Sequence, residues 1–419
     1  MTSLLRVQVF AALLVGGSLW SSARVQADSD SALTQTDLFV ADDGGYAIYR
    51  IPGIVVTAKG TVLAYCEARR TGKSDWDTID ILMRRSTDGG VSFSAPRKVA
   101  DVEGPKPRNP VAISRKQARP EDTTYNNPVC IAAADGTVHL LFCLEYMRCF
   151  YCRSDDDGES WSSPTEITGT FEAYRPSYYW QVLATGPGHG IETSRGRLVV
   201  PVWLSLGTEG NGHKPSVTSV IYSDDRGETW SAGEIVAGIE PPVLNPSETI
   251  VVELSDGRVM LNLRSQSAEN RRAVTFSMDG ATDWSTPQFD DALKEPICMA
   301  GIVRRSGRDG RPPLLVFSNP DNLERADGKV TPGGGRDRRN LTIQFSADDG
   351  RTWRAKRVLE PGFSAYSDLA VLDSGEVLCF YEGGGDPQGT PPTRSSYARL
   401  TLARFPIEWI TTVQQSPQR

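Results

Sequence analysis

Charged and tyrosine side chains stand where apolar, strand-like runs of the sequence begin or end. Arg50 precedes the run from Ile51, and Arg264 follows a run that ends at Leu263. The full set is Arg50, Asp75, Glu248, Arg264, Arg339, Tyr366 and Glu382, with Asp75 on the loop from Thr71 to Thr78. Arginine suits bidentate recognition of a carboxylate. Because three guanidiniums at one place would repel one another, such a cluster indicates an anionic ligand and nearby carboxylates that orient the arginines.

The elements that must position these residues are repeated β-meanders. Six times an apolar run enters a glycine turn and leaves as a second apolar run, with turns at Gly60, Gly136, Gly196, Gly257, Gly310 and Gly375. After the first five turns the chain passes through a loop, a third strand and a short motif of the form S-x-D-x-G. Each unit therefore predicts strand one, glycine turn, strand two, loop, strand three, motif and strand four.

The S-x-D-x-G motif, which we call the Asp box, recurs at regular places in the chain. Its copies are Ser86–Phe93, Ser154–Trp161, Ser223–Trp230 and Ser346–Trp353, with a divergent copy at Ser277–Trp284. Asp and Ser side chains can bond the amides of a turn, and Gly supplies positive φ. The terminal Trp or Phe then packs the turn onto its sheet. The boxes are therefore predicted to be structural turns and not ligand sites.

Six such units around an axis predict an all-β fold, a six-bladed β-propeller of four-stranded antiparallel meanders. The sixth unit has no box, and its third strand is predicted at Tyr397–Arg404. Its fourth strand could come from Thr36–Val40, which would close the ring. A paired β-sandwich is the alternative all-β fold, but six equal meanders argue against it. In this meander one rim of the propeller carries the starts of strands one and three and the ends of strand two. The candidate residues lie at these positions, so they are predicted to meet at one central opening on that rim, which we call the mouth.

Composition limits the partners and the location of the protein. The 419 residues carry a formal net charge of −7, which disfavours nucleic acid and anionic membranes as partners. Met1–Ala27 has the pattern of a signal peptide, since Arg6 precedes an apolar run and Val25-Gln26-Ala27 offers a cleavage site. We expect residues 28–419 to form one propeller domain that is secreted or periplasmic, without stable membrane insertion. An uncleaved anchor is the alternative.

Cysteine and histidine patterns do not predict a metal or redox site. The seven cysteines are odd in number and lie mostly in predicted strands, which favours buried apolar thiols. Cys149 and Cys152 are three apart on a strand and would face opposite sides. The three histidines lack the spacing of a zinc site, and no phosphate-binding loop is present. We therefore expect no metal and no cofactor.

Taken together, four sets of motifs resemble the exo-α-sialidases, or neuraminidases. They are Tyr49-Arg50-Ile51-Pro52-Gly53, the Asp boxes, Gly186-Pro187-Gly188-His189-Gly190 and Leu261-Asn262-Leu263-Arg264-Ser265. The boxes alone are weakly specific. The combination of R-I-P at a strand start, L-N-x-R-S, and Y-S-x-L before L-x-F-Y-E is highly specific. The resemblance covers the chain from about Ile48 to Glu382, and it also implies a six-bladed propeller.

The resemblance implies roles for the residues at the predicted mouth. The arginine triad of the family falls on Arg50, Arg264 and Arg339, although Arg336 and Arg338 compete for the third position. The acid/base aspartate falls on Asp75, with Asp77 and Asp80 as competitors. The nucleophile falls on Tyr366 with Glu248 beside it, and Glu382 matches the acid that holds Arg50. Further pocket candidates are Trp76, Asn126, Asn127 and Trp203, whereas His189 is expected to shape a turn.

The activity that the resemblance implies is release of terminal sialic acid from sialylated glycans or glycoconjugates. The reaction would retain configuration through a tyrosyl-enzyme intermediate, because sialidases use Tyr where most retaining glycosidases use a carboxylate. One alternative is a hydrolase or trans-glycosidase for a related acidic nonulosonic sugar. Another is a propeller that binds acidic glycans without cleaving them, which the presence of Asp75, Glu248 and Tyr366 disfavours.

Overall fold

The computed structural model describes residues 32–307, 312–385 and 395–411, which consist largely of strands and turns. The signal peptide predicted at Met1–Ala27 lies outside these residues. In chain order the strands are β1 (Thr34–Val40), β2 (Ile48–Val56), β3 (Val62–Arg69), β4 (Ile79–Ser86), β5 (Arg97–Lys98), β6 (Tyr125–Ala132), β7 (Val138–Leu144), β8 (Arg148–Ser154), β9 (Thr165–Glu166), β10 (Val182–Thr185), β11 (Gly188–His189), β12 (Ile191–Glu192), β13 (Leu198–Glu209), β14 (Lys214–Ser223), β15 (Ser231–Ala232), β16 (Thr249–Glu253), β17 (Val259–Leu263), β18 (Arg271–Ser277), β19 (Gln288–Lys294), β20 (Gly301–Arg305), β21 (Leu314–Pro320), β22 (Arg339–Ser346), β23 (Arg354–Val371), β24 (Val377–Gly385) and β25 (Arg399–Phe405).

The helices are short and lie between strands or after the last strand. They are α1 (Pro110–Ser114), a 3-10 helix at Thr168–Tyr174 and α2 (Ile407–Thr411). Asn109 caps α1, since its side chain accepts a hydrogen bond from the Val111 amide. Within the described ranges, none of the helices has the length and apolar character needed to cross a membrane.

The strands form antiparallel sheets in a propeller-like arrangement, as the all-β prediction required. Two sheets have the simple orders β2-β3-β4-β5 and β16-β17-β18-β19. Two others are β11-β6-β7-β8-β9, in which β11 runs parallel to β6, and β10-β13-β14-β15 with β12 also on β13. The last sheet has seven strands in the order β1-β25-β24-β23-β22-β21-β20.

The described strands thus form five sheets, where the meander pattern predicted six separate ones. The difference arises in β23, which continues without a break from Arg354 to Val371. Its first part pairs with β22 and its second part pairs with β24, so the strands expected in the fifth and sixth units share one sheet. Pro361 and Gly362 lie where the two pairings meet and do not interrupt the strand.

The N-terminal described strand completes the seven-stranded sheet, as predicted for Thr36–Val40. β1 pairs antiparallel with β25, with Thr34 opposite Arg404 and Val40 opposite Arg399. Phe39 places its ring 5.1 Å from that of Tyr49 on β2 and 6.3 Å from that of Phe380 on β24. β1 therefore joins the first sheet to the last.

The predicted turns are present at both ends of the meanders. Five of the six turn glycines have positive φ, namely Gly60, Gly136, Gly196, Gly257 and Gly375, while Gly310 lies outside the described residues. In the second Asp box, the Ser154 hydroxyl donates to Asp156 and accepts from the Gly158 amide, both at 2.8 Å. The divergent box keeps these bonds through Ser277 and Asp279. The interpretation of the boxes as structural turns is confirmed.

Apolar side chains fill the spaces between neighbouring sheets. One such core contains Tyr65 and Met83 of the first sheet together with Phe142 and Phe150 of the next, with the Phe rings 5.7 Å apart. All seven cysteines are buried, as predicted, and none of them is paired. With the cores between the sheets, the strand ends at each rim are left to carry polar residues.

Candidate active site

A pocket of about 320 Å³ opens at the rim where strands one begin and strands two end. Five of the seven residues predicted to meet there line it, together with two of the further pocket candidates: Arg50, Asp75, Glu248, Arg264 and Tyr366, with Asn127 and Trp203. Arg338, the neighbour of Arg339, lines it as well. Glu382 lies directly beneath, fully buried, and bonds to the lining. The meander geometry therefore brings residues from several sheets to one place.

Tyr366, Glu248 and Arg264 form a hydrogen-bonded group on one side of the pocket. Glu248 precedes β16 and Arg264 follows β17, and pairing of Thr249 with Leu263 puts these two residues side by side. The Tyr366 hydroxyl donates to Glu248 Oε1 at 2.5 Å, and Arg264 Nη1 donates to the same hydroxyl at 2.6 Å. Arg264 also pairs with Glu248. The phenol thus has a proton acceptor and a cation in direct contact.

Glu382 anchors both Arg50 and the backbone of Tyr366. One of its carboxylate oxygens accepts from Arg50 Nε at 3.0 Å and from the Ile51 amide at 2.9 Å. The other oxygen accepts from the Tyr366 amide at 3.0 Å. The predicted contact between Glu382 and Arg50 is therefore present. The carboxylate is fully buried, and the hydrogen bonds from these donors offset the free-energy cost of removing its charge from water.

The third arginine of the pocket is Arg338, and the placement of Arg339 there is wrong. Arg338 lines the pocket, donates to the Ile297 carbonyl at 2.6 Å and lies with its guanidinium carbon 5.1 Å from the Tyr366 ring centre. Arg339 instead pairs with Glu324 at 2.8 Å, with 40% of its side chain exposed. Successive residues of an extended chain point to opposite sides, so a shift of one residue reverses the direction. Arg336, the other competitor, is buried against Asn270.

Asp75 lies at the pocket beside two arginines. Its Oδ1 accepts from Arg69 at 2.7 Å and is 3.9 Å from Arg50, while its Oδ2 accepts from Asn211 at 3.1 Å. The side chain is 32% exposed to the pocket but surrounded by protein. Burial alone would raise the pKa of Asp75, but Arg69, His213 and Arg50 outweigh it and hold that pKa well below its usual range. Asp75 is therefore ionised in the ligand-free pocket.

The two competing aspartates have structural partners. Asp77 accepts the Thr71 amide at 3.2 Å and so closes its own loop. Asp80 lies in β4 and bonds to Tyr46 and Lys98. Neither lines the pocket, which leaves Asp75 as the aspartate that does.

Of the four further pocket candidates, two line the pocket and two are buried behind the residues that line it. Asn127 and Trp203 line the pocket. Trp76 and Asn126 do not, because both are fully buried behind the wall. The Trp76 ring lies 4.7 Å from that of Tyr146, and Asn126 accepts the Tyr146 amide at 3.1 Å. Their placement at the pocket surface is therefore wrong, and they support Tyr146 instead.

Among the lining residues that sequence reasoning missed are Arg69, Asn211, His213 and Tyr397. Arg69 ends β3, and Tyr397 lies just before β25. The rim rule that found Glu382 and Arg264, applied to every strand end, would have included both. Asn211 and His213 lie in the hairpin between β13 and β14, whose length the pattern did not reveal. Burial lowers the pKa of His213 to about 4, so it is neutral at pH 7.

His189 lies outside this pocket, below its floor. Its Nδ1 is 2.8 Å from Asp368, a fully buried residue that also accepts the Ile54 amide at 3.0 Å. His189 thus ties β11 to β23 and β2, a structural role in keeping with the predicted turn. Across residues 32–307, 312–385 and 395–411, no three His, Cys, Asp or Glu side chains are grouped as metal ligands would be.

The geometry defines what the pocket can do chemically. Four arginines line the cavity, and one of them, Arg69, is paired with Glu67 and Asp75. The other three guanidiniums suit a carboxylate-bearing ligand. A tyrosine with a carboxylate in contact can act as a nucleophile, because the acid accepts the phenol proton as the bond forms. Arg50 lies between this group and Asp75, 4.9 Å from the Tyr366 ring centre. A reacting centre held at Arg50 would therefore be flanked by a nucleophile and by an aspartate able to exchange a proton.

Comparison with known proteins finds related chains over most of the sequence. Residues 106–379 match the family described as a BNR repeat-like domain. The chain is 30% identical over 410 residues to a sialidase of Micromonospora viridifaciens, covering 91% of this chain and 56% of that protein. It is 30% identical over 371 residues to a sialidase of Bacteroides fragilis (strain YCH46), covering 82% of this chain and 61% of that protein. The chain thus spans less than two thirds of these two curated relatives.

A solved structure agrees with the sequence comparison. Hadza microbial sialidase Hz136 superimposes with a TM-score of 0.70 at 26% identity, over 90% of this chain and 69% of that one. The similarity therefore extends from motifs to the arrangement of the sheets.

Proposed function

Because the chain belongs to the sialidase family, we propose that it is an exo-α-sialidase that releases terminal sialic acid from glycoconjugates. The observation that carries this proposal is the contact of the Tyr366 hydroxyl with Glu248 at 2.5 Å, beside three pocket arginines. A sialic acid presents a carboxylate on its anomeric carbon. Arginines that bind this carboxylate would therefore place the anomeric carbon next to Tyr366.

In the proposed mechanism Tyr366 attacks the anomeric carbon. A neutral phenol meets less repulsion from the substrate carboxylate than an ionised acid would. A phenol by itself is a weak nucleophile, because it is protonated at neutral pH. Glu248 accepts the phenol proton, and Arg264, 2.6 Å from the hydroxyl, favours phenolate character as the bond forms. The product of this step is a tyrosyl-enzyme intermediate.

In the same step the glycosidic bond breaks, and Asp75 supplies the proton that the leaving glycosidic oxygen needs. In the empty pocket Arg69 and Arg50 keep Asp75 ionised. An incoming carboxylate among Arg50, Arg264 and Arg338 adds negative charge close to Asp75, which raises its pKa and favours protonation. After departure of the leaving group, Asp75 activates the water that opens the intermediate. Two displacements at one carbon retain its configuration.

The experiment that tests this function is hydrolysis of a fluorogenic α-sialoside by the purified protein, followed by proton NMR of an alkyl sialoside reaction. We expect cleavage, with α-sialic acid as the first product before mutarotation. A first-formed β anomer would contradict the double displacement. Absence of cleavage, together with binding of sialosides, would contradict the enzymatic function and support a binding propeller.

The same family comparison supports a finer proposal for the fold, namely six blades. In this reading the seven-stranded sheet consists of two blades, β20-β21-β22 with the first part of β23, and the second part of β23 with β24, β25 and β1. The switch of β23 from β22 to β24 near Phe363 supports the division. A crystal structure would contradict six blades if the two halves of this sheet were not arranged around the same central axis as the other sheets.

We also propose export, because Arg6, the apolar run after it and Val25-Gln26-Ala27 have the pattern of a cleavable signal. Expression in a secreting host should give protein that begins at Asp28. N-terminal sequencing that finds Met1–Ala27 intact would contradict cleavage.

A further inference from the structure

Tyr397 lies in the pocket and contacts two of the three arginines. It precedes β25 by two residues, and its amide donates to the Ser395 hydroxyl at 3.0 Å. The Arg50 guanidinium carbon is 4.2 Å from its ring centre. Arg338 Nη1 donates to its hydroxyl at 3.2 Å. No motif in the sequence singled out this residue as part of the site.

We propose that Tyr397 is a fourth carboxylate-binding residue of the pocket, which donates its hydroxyl proton to the substrate carboxylate and braces Arg50 and Arg338. This inference rests on the proposed sialidase function and extends it to a residue outside the arginine set.

The hydroxyl is the part that would touch the substrate. It accepts from Arg338, and its own proton has no acceptor among the residues that the structure describes. A phenol is both a donor and an acceptor. Because Arg50 and Arg338 both contact Tyr397, a carboxylate bound between these guanidiniums lies within reach of its hydroxyl. The free donor therefore points to the ligand.

The ring fixes the orientation of Arg50. Arg50 lies between two aromatic rings, 4.2 Å from that of Tyr397 and 4.9 Å from that of Tyr366, while Glu382 binds its Nε. A guanidinium over a ring face is attracted by the ring quadrupole. Glu382 also binds Nη2 of Arg50, at 3.3 Å, so the guanidinium has its edge on a carboxylate and its faces against rings. Its remaining nitrogen, Nη1, is the one left for the pocket.

Two substitutions separate these contributions. Tyr397→Phe removes the hydroxyl and keeps the ring, whereas Tyr397→Leu removes both. Tyr381→Phe is the matched control, since its hydroxyl bonds to Gln35 at 2.8 Å and Tyr381 does not line the pocket. All three variants are first compared with wild type by thermal melting.

The probe is the 2,3-unsaturated sialic acid, titrated by calorimetry as the free acid and as its methyl ester. Tyr397→Phe should weaken binding of the acid by about 10- to 150-fold, the range of a hydrogen bond to a charged group. Binding of the ester, which has no charge for the hydroxyl to meet, should change far less. Tyr397→Leu should lose a further factor of about 2 to 30 through Arg50. Tyr381→Phe should bind both probes as wild type does.

Kinetics with a fluorogenic α-sialoside give the second readout. The Tyr397 variants should raise KM more than they lower kcat, because the nucleophile and Asp75 remain. Equal loss of acid and ester binding in Tyr397→Phe, or unchanged binding in both variants, would overturn the proposal while wild-type hydrolysis still supported the sialidase function. A wild type that neither cleaves the sialoside nor binds the acid would overturn both.

Discussion

At the scale of single residues, the proposed mechanism assigns the nucleophile to Tyr366 and the proton donor to Asp75. Asp75→Asn should slow hydrolysis of alkyl-linked sialosides by about 10²–10⁴-fold, the usual range for general acid catalysis. It should slow aryl sialosides much less, because a phenolate leaves without a proton. Tyr366→Phe should slow both substrates. Steady-state kinetics on the two substrate types measure the difference.

The two variants should also differ in binding. Tyr366→Phe leaves the arginines in place and should still bind the flattened unsaturated analogue, which resembles the transition state. Near-full activity of Tyr366→Phe would contradict the assignment of the nucleophile. Equal damage to alkyl and aryl substrates in Asp75→Asn would contradict the assignment of the acid.

Asn211 offers a prediction on pH dependence. Its amide donates to Asp75 Oδ2 at 3.1 Å and so stabilises the ionised carboxylate. Asn211→Ala should raise the pKa of Asp75 in the substrate complex. Because activity is lost as the acid deprotonates there, the alkaline limb of kcat should move up by about one pH unit. Asn211→Asp should move it further, since a second charge disfavours ionisation. The limb for aryl sialosides, which need no acid, serves as the control and should stay in place.

The site could be read from the sequence where strand ends fix direction. Glu248 and Arg264 adjoin strands, and Arg50 lies near the start of one, so the apolar runs beside them indicate one rim. Tyr366 was placed by the apolar run that follows it, although it lies inside the long strand β23. Arg338 could not be distinguished from Arg339, because adjacent residues of an extended chain face opposite sides and nothing in G-G-R-D-R-R-N shows where the strand phase begins. Asn211 reaches the pocket through a long hairpin, and hairpin length is not fixed by the apolar pattern.

At the scale of elements, the Asp boxes are predicted to carry stability and not catalysis. Trp230 ends the third box, is buried and lies 5.7 Å from the Tyr151 ring. Trp230→Ala should lower the free energy of unfolding by about 3–5 kcal/mol, because a large ring leaves a cavity. Urea unfolding measures this loss, and kcat per folded molecule should be retained. An unchanged melting temperature with lost activity would place this box at the active site instead.

The strands and turns were more predictable than the division into sheets. Alternating apolar runs and glycine turns gave the meanders, because side-chain period and positive φ are local properties. The continuity of β23 was not readable, since Glu360-Pro361-Gly362 is a sequence that ordinarily ends a strand. Here pairing on either side, first with β22 and then with β24, keeps the backbone extended. Tertiary pairing thus overrode a local signal.

At the scale of the whole molecule, buried histidine makes stability depend on pH. Burial lowers the pKa of His139 to about 4, whereas an unfolded histidine titrates near 6.5. The unfolded chain therefore takes up the proton first, and stability present above pH 6.5 is lost as pH falls toward 4. Between pH 7 and 4.5 the titration of His139 should lower the free energy of unfolding by about 2–3 kcal/mol.

Urea unfolding of His139→Gln at the two pH values isolates this contribution. Between pH 7 and 4.5 the free energy of unfolding of the variant should fall by about 2–3 kcal/mol less than that of wild type. Tyr151→Phe is the control, because it removes the hydroxyl 2.9 Å from His139 Nδ1 and leaves the imidazole in place, so its pH dependence should follow wild type. Equal slopes for His139→Gln and wild type would contradict the burial argument.

Joining of the first sheet to the last gives a second prediction at this scale. Phe39 contacts Tyr49 and Phe380, and Phe39→Ala should lower the free energy of unfolding by about 3–5 kcal/mol. Its neighbour Val40 is 46% exposed, so Val40→Ala should change the free energy of unfolding by less than about 0.5 kcal/mol. Urea unfolding measures both free energies. Similar losses of unfolding free energy in the two variants would mean that the Phe39 side chain does not hold β1 in place.

The pairing of β1 with β25 also sets an order of events in time. β1 is among the first described segments to leave the ribosome, and its partner is among the last. During synthesis, at about 5–20 residues per second, β1 has no strand to bond with and β24 has an open edge. Contacts this distant in the chain form slowly. The seam between first and last sheet is therefore the final step of folding, and chaperone dependence should be greatest while it stays open.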